Sequence, residues 1–217
     1  MKIFVYLAAI SAAMLTTAAA ENTKSYYFGL HGFGGPSPFK RNLKGSVFGT
    51  PFTGHAEYSK AFIVGVAGGI FLNENWRVGI ELDFMRQYVD RSFNTNNANT
   101  NAYGVVNTKG AFVDIGYEFG LNEKIGGFVE GGVGILHVDP DGGISAYGNL
   151  RGYDNVLVGK VGAGLTYKIS ESLELYSKYN YVFGEDAKLT LEPGFGTIPI
   201  QFEVNDHLMS FGFRFKM

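Results

Sequence analysis

The chain has 217 residues with no cysteine, and 31 glycines, 19 phenylalanines and 13 tyrosines stand against 6 prolines. That length allows one domain or two small ones and is enough to bury a core or close a sheet on itself. A formal net charge of −2 excludes the basic excess that nucleic-acid binding needs, and the glycine and aromatic content suits β-structure.

The amino terminus runs from Met1 and Lys2 through the apolar stretch Ile3 to Leu15, then Thr16, Thr17, Ala18, Ala19 and Ala20 before Glu21. A cationic start, an apolar centre and an A-x-A end make residues 1–20 a predicted signal peptide, with the mature chain over 21–217. The apolar stretch falls short of the ~20 residues a membrane-spanning helix needs. Without Lys2 the mature chain carries 17 basic against 20 acidic side chains, a net charge of −3. Exported domains are often stapled by disulfides, so a cysteine-free one must be held together otherwise.

Beyond Glu21 no long stretch repeats apolar residues at helical spacing, and the pattern alternates instead. From Trp76 to Phe84 the even positions are apolar and the odd ones are Arg77, Gly79, Glu81 and Asp83, which is a strand with one dry face and one polar face. Similar segments are Tyr26 to Leu30, Phe62 to Ile70, Ala111 to Phe119, Ile125 to His137, Leu157 to Ile169, Leu173 to Phe183 and Met209 to Met217. Each is roughly ten residues where its ends can be placed, the length at which a tilted strand crosses a bilayer.

Alternation alone fits a soluble sandwich as well as a membrane wall; connection lengths and aromatic placement separate them. Short turns are predicted at Leu72 to Asn75, Gly120 to Lys124 and Ser170 to Ser172, and long polar loops at Gly34 to Ser59, Gln87 to Thr108, Asp139 to Asn155 and Gly184 to Asp206. Tyr26, Trp76, Tyr117, Phe119, Tyr181, Phe183 and Phe215 gather towards the ends of the dry faces, as interfacial girdles do.

The opening strand Tyr26, Tyr27, Phe28, Gly29, Leu30, the strand Trp76 to Phe84, the glycine-rich Phe128 to Gly134 and the run Val161 to Tyr167 resemble the small outer-membrane β-barrel family that includes OmpA, OmpX and the opacity proteins, with its porin-like outer membrane protein β-barrel domain. The resemblance covers about Ser25 to Met217. It implies an all-β, eight-stranded antiparallel up-and-down transmembrane β-barrel in the outer membrane of a Gram-negative bacterium. Family members usually end in an aromatic, most often Phe, that the barrel-assembly machinery recognises; here the end is Phe215, Lys216, Met217, and Met217 keeps the alternating register. Leu189 to Val204, with Leu191, Ile198, Ile200 and Phe202 around Pro193 and Gly194, reads as an external hairpin or as two further strands, so ten strands stand beside eight.

In an eight-stranded wall the interior is just wide enough for side chains to fill it. The inward set is Arg77, Glu81, Asp83, Asp114, Glu118, Glu130, Lys160, Lys168, Glu174, Lys178, Arg214 and Lys216, six acids and six bases, which reads as a structural polar network before it reads as an ion path. Of the four histidines, His31, His55, His137 and His207, only His207 has a serine nearby, and odd spacing puts Ser210 on the opposite face of the strand. The sequence therefore suggests no catalytic site and no cofactor. Asp139 to Gly143 has turn chemistry and lacks the later ligands of a calcium loop, so no metal site is expected. Asn94 to Asn101 reads as a polar loop tip, and Phe39, Phe48, Phe52, Tyr147 and Phe195 are loop aromatics suited to anchoring a partner or packing on a rim. The resemblance implies as partners the membrane lipid and lipopolysaccharide, the assembly machinery, and a host, phage or matrix ligand at the external loops. It points to an envelope-stabilising or adhesin-like surface protein, with a narrow small-solute channel as the alternative and a lipid-modifying enzyme third.

Overall fold

A computed structural model of the chain describes residues 25–36, 40–47, 50–94, 99–100, 102–144, 148–192 and 196–217. The predicted signal peptide, Phe39, Phe48, Tyr147 and Phe195 lie outside these residues. Within them the fold is all-β, with thirteen strands: β1 (Tyr26–Pro36), β2 (Lys40–Val47), β3 (Thr50–Phe71), β4 (Trp76–Asn94), β5 (Asn99–Thr100), β6 (Ala102–Gly120), β7 (Ile125–Ile144), β8 (Gly148–Arg151), β9 (Asp154–Lys168), β10 (Leu173–Gly184), β11 (Ala187–Glu192), β12 (Ile198–Phe202) and β13 (Asp206–Lys216).

The three short turns fall where they were predicted, and two share a device. Asn73 Oδ1 accepts from the backbone N–H of Asn75 and Trp76 at 2.9 and 2.8 Å, and Asn122 Oδ1 accepts from those of Lys124 and Ile125 at 2.9 and 2.8 Å. An asparagine that satisfies the backbone two and three residues on makes a tight reversal from local sequence alone. These turns define one end of the molecule, called here the turn end.

All strand pairings are antiparallel, and they form two circuits. In the first, β1 pairs β3, then β4, β6, β7, β9, β10 and β13 follow in turn, and β13 pairs β1. In the second, the far halves of β3, β4, β6 and β7 are joined through β8, β11, β12 and β2, which returns to β3. The Leu189 to Val204 segment is thus a hairpin, β11–β12, that enters the second circuit, while β10 pairs β13 directly.

The long polar loops expected from sequence are largely strand. Asp139 to Gly143, read as a turn, continues β7 and pairs residue for residue with β6 from Asn107 to Tyr103. Asn94 ends β4, Asn99 and Thr100 form β5, and Phe52 belongs to β3. The physical reason is cross-strand pairing between distant segments, which overrides local turn and loop chemistry and buries alternate residues: Ala187, Leu189 and Leu191 of β11 and Ile198, Ile200 and Phe202 of β12 are all buried.

The two circuits have opposite polarity. In the first, apolar side chains face outward and exposed, among them Phe28, Leu30, Phe62, Val64, Val113, Ile115, Val133, Leu157, Leu165, Phe211 and Phe213, while charges are buried inside. Such a wall suits a hydrocarbon surround, which leaves every backbone polar group to be satisfied by a closed ladder. In the second, Leu43, Tyr58, Val106, Val138, Leu189, Ile200, Phe202 and Val204 pack into an apolar core, and Asn42, Lys44, Lys188, Glu192 and Gln201 are exposed. The predicted girdle aromatics face outward at the rims of the first wall, with Trp76 edge-on to Tyr117 at 5.0 Å and Tyr181 stacked on Phe183 at 5.9 Å.

A charged interior as the candidate functional site

Alternation along six strands of the first circuit aims eleven charged side chains at one another. Glu81 of β4 and Glu130 of β7 form the centre. Glu81 accepts from Lys178 and lies 3.1 Å from Lys160 Nζ, and Lys160 is also 2.9 Å from Asp114 and 3.8 Å from Glu130. Arg77 Nη2 donates to Glu130 at 2.7 Å, and its Nε lies 3.1 Å from Glu118. Nearer the turn end, Arg214 reaches Glu118 and, at 2.6 Å, Glu174, while Lys216 lies 2.7 Å from Glu174. Arg77, Glu81, Asp114, Glu130, Lys160, Glu174, Lys178 and Arg214 are all 7% exposed or less, so each charge has lost its water and depends on these partners.

Aromatic rings complete the packing. The Arg77 guanidinium sits 5.4 Å over Tyr27 and 5.2 Å over Phe128, and the Lys160 ammonium sits 4.7 Å from the Phe112 ring. The free space left beside Tyr27, Arg77, Glu81, Glu130 and Lys178 is about 20 Å³, room for about one water.

Eleven of the twelve sequence-predicted lumen residues join this cluster, Asp83 through His31. Lys168, the twelfth, stands exposed at the turn end opposite Glu174 in the β9–β10 register. The cluster also contains members that the sequence reading missed. His31, to which the sequence assigns no role, is buried inside β1, with Nε2 2.8 Å from Asp83 and Nδ1 3.1 Å from the Tyr176 hydroxyl. Period-two counting from Tyr27 through Gly29 would have aimed it inward. Gly65 makes room for it: a methyl group there would overlap Asp83 Oδ1 and His31 Nε2.

His31, Glu81 and Asp83 offer ligand atoms within 4.8 Å of one another. Both Glu81 oxygens, however, already face lysine ammonium groups, which makes the triplet part of the ion network. His207 faces outward beside Tyr179 and Tyr181, whereas Ser210 is buried inward, so the two do not meet.

A second buried ion pair lies in the second circuit. Arg41 of β2 donates to Asp206 at the start of β13, Gln87 Nε2 lies 3.3 Å from the same carboxylate, and the Arg41 guanidinium is flanked by Tyr58 and Phe202 at 5.7 and 5.3 Å. Burial opposes the Arg41 charge, but Asp206 outweighs it and holds the Arg41 pKa above its ordinary value; burial pushes the Tyr58 hydroxyl up. Arg41 and Asp206 were both read as loop residues, and nothing local marks a pair 165 positions apart.

A closed antiparallel wall, apolar outside and charged inside, defines a membrane β-barrel class of protein. The family "Outer membrane protein beta-barrel domain" matches residues 5–215, and the chain belongs to it. Its place is the outer membrane. No curated protein matches the sequence. Among solved structures, the outer membrane protein OprG from Pseudomonas aeruginosa is similar at 14% identity, with a TM-score of 0.60, over 89% of this chain and 95% of that one. Neisserial surface protein A is similar at 13% identity, with a TM-score of 0.50, over 90% of this chain and 100% of that one. At such identities the likeness is one of fold.

Proposed function

We infer that the first circuit is an eight-stranded transmembrane barrel, closed to ions and polar solutes, that carries the second circuit as a rigid platform outside the membrane. On this reading the protein is exported with residues 1–20 removed, inserted by the barrel-assembly machinery, and acts without catalysis as an envelope-stabilising surface protein whose outer ring meets a host, phage or matrix ligand. The observation that carries it is the knot of Glu81, Asp114, Glu130, Lys160 and Lys178 across the interior, all 7% exposed or less. A path for ions would need these charges hydrated. The test is planar-bilayer recording of refolded protein: a silent bilayer is expected, and steady single-channel steps would refute the closed barrel.

One observation favours a second reading, a narrow passage. Strands β1 and β13 pair from Tyr27↔Lys216 to Gly32↔Phe211 and no further, although β1 runs on to Pro36 and β13 begins at Asp206. Above that point the seam is bridged by Arg41–Asp206 rather than by a ladder. A small apolar solute entering there would leave sideways into lipid rather than cross the charged knot. Faster uptake of a fluorescent apolar probe into vesicles carrying Arg41→Gln than into vesicles carrying wild type would support this reading, and equal rates would remove it.

A further inference from the structure

At the boundary between the two circuits, three basic side chains face outward on neighbouring strands. Lys60 of β3, Arg86 of β4 and Lys109 of β6 are exposed. The registers Lys60↔Tyr88, Phe62↔Arg86 and Phe84↔Lys109 make each cation a diagonal neighbour of the next, at a spacing of ~7–8 Å. None of them makes an ion pair with a described carboxylate. Arg86 lies 5.5 Å from the Tyr88 ring, and His137 of β7 stands directly opposite Lys109. Asp139, the next outward residue on β7, pairs with Asn107 and forms no ion pair with Lys109.

Below the triad the same faces turn apolar, through Phe62, Val64 and Val113. Along the strand register Lys109 faces His137 of β7 and His137 faces Asn155 of β9, so among the described residues the cationic stripe ends at β6 on that side. Cations that no described carboxylate neutralises, set just above an acyl-chain surface, lie where lipid phosphates do.

We propose that Lys60, Arg86 and Lys109 form a binding site for the phosphate groups of a phosphorylated lipid of the outer leaflet, whose acyl chains lie along Phe62, Val64 and Val113. This rests on the barrel reading above. Three cations converge on an anionic headgroup through point-charge and, at Arg86, bidentate contacts. The apolar wall beneath them selects a lipid over a free anion.

The test is native mass spectrometry of refolded full-length protein in detergent micelles titrated with diphosphorylated lipid A, its dephosphorylated form, and inorganic phosphate. The combined variant Lys60→Gln, Arg86→Gln, Lys109→Gln should bind the diphosphorylated lipid about a hundredfold more weakly than wild type. The control Lys44→Gln, Lys188→Gln in the outer ring should bind like wild type, and dephosphorylated lipid should not distinguish wild type from the triple variant. Equal lipid binding by wild type and triple variant would overturn the site, as would displacement of the lipid by millimolar inorganic phosphate. Protease protection of the same proteins in vesicles reports the barrel separately. Loss of protection in wild type overturns the barrel reading itself, whereas a protected triple variant with unchanged lipid binding overturns only the site.

Discussion

Replacing Glu81 with Met removes the carboxylate on which two buried lysines converge. Its Oε1 lies 3.1 Å from Lys160 Nζ, and Lys178 bonds Oε2. At an effective dielectric of about 20, a pair at that separation is worth about 5 kcal/mol before desolvation. Removing one partner of a buried pair costs about 3–5 kcal/mol because the other charge is left in a dry site. Lys160 keeps Asp114 at 2.9 Å, so the loss falls mainly on Lys178, whose next carboxylate is Glu130 at 3.9 Å. The expected destabilisation is therefore about 3 kcal/mol, the low end of that range. Trp76, the single tryptophan, lies half-exposed on the outer wall and reports unfolding in urea from lipid vesicles. The double variant Glu81→Met, Lys178→Met should recover most of the loss, since neither charge is then orphaned. A single variant within about 0.5 kcal/mol of wild type would refute the claim that the knot depends on its pairings.

Gly65→Ala should break the His31–Asp83 hydrogen bond by overlap, at a cost of about 1.5–3 kcal/mol, with the His31 ring resonances shifting in NMR spectra; unchanged resonances would count against the contact. Ile115→Arg, outward in the middle of the apolar wall, should destabilise by about 2–4 kcal/mol, whereas Asn149→Arg on the exposed outer ring should stay within about 0.5 kcal/mol. The β3–β4 register shifts between Tyr58 and Lys60, with Ser59 as the extra residue of a β-bulge; deleting Ser59 should strip hydrogen-exchange protection from β2, β11 and β12 while β1, β10 and β13 keep theirs, and uniform protection in the deletion variant would show that the bulge has no phasing role.

The wall of the first circuit was legible because its code is local: from Trp76 to Phe84, or Met209 to Met217, one parity stays apolar and the other polar over a full crossing. The lumen charges followed from the same parity. His31 obeyed the rule as well, but a lone histidine between Leu30 and Gly32 carries no pattern of its own. The outer ring was illegible for a different reason. Asp139, Pro140, Asp141 and Gly142 have turn chemistry, and only their pairing with Val105 to Asn107 and Gly104, more than thirty residues earlier, makes them strand. Arg41 and Asp206 meet only because β2 and β13 are brought together by a ring whose closure no single segment encodes.

A strand that leaves hydrocarbon for water must exchange its faces, since lipid requires apolar side chains outside and water requires them inside. The chain solves this in two ways. On β6 and β7 parity is kept and the residue types reverse: inward Asp114 gives way to Thr108 and Val106, inward Glu130 to Leu136 and Val138, and outward Ile115 and Val113 to Lys109 and Asn107. On β3 the sequence keeps its alternation and the backbone slips instead. Ser59 is the extra residue of a bulge between Tyr58 and Lys60, so Ala61 and Ile63 point inward below it and Tyr58 and Ala56 point inward above it. Without that residue, Glu57 would enter the apolar core and Tyr58 would face water. The reversals on β3 and β6 occur at the height of Lys60 and Lys109, with Arg86 between them. The level at which the wall changes its inside for its outside is therefore also the level at which these three cations stand, and a lipid phosphate at that height would meet charge above it and apolar wall below it.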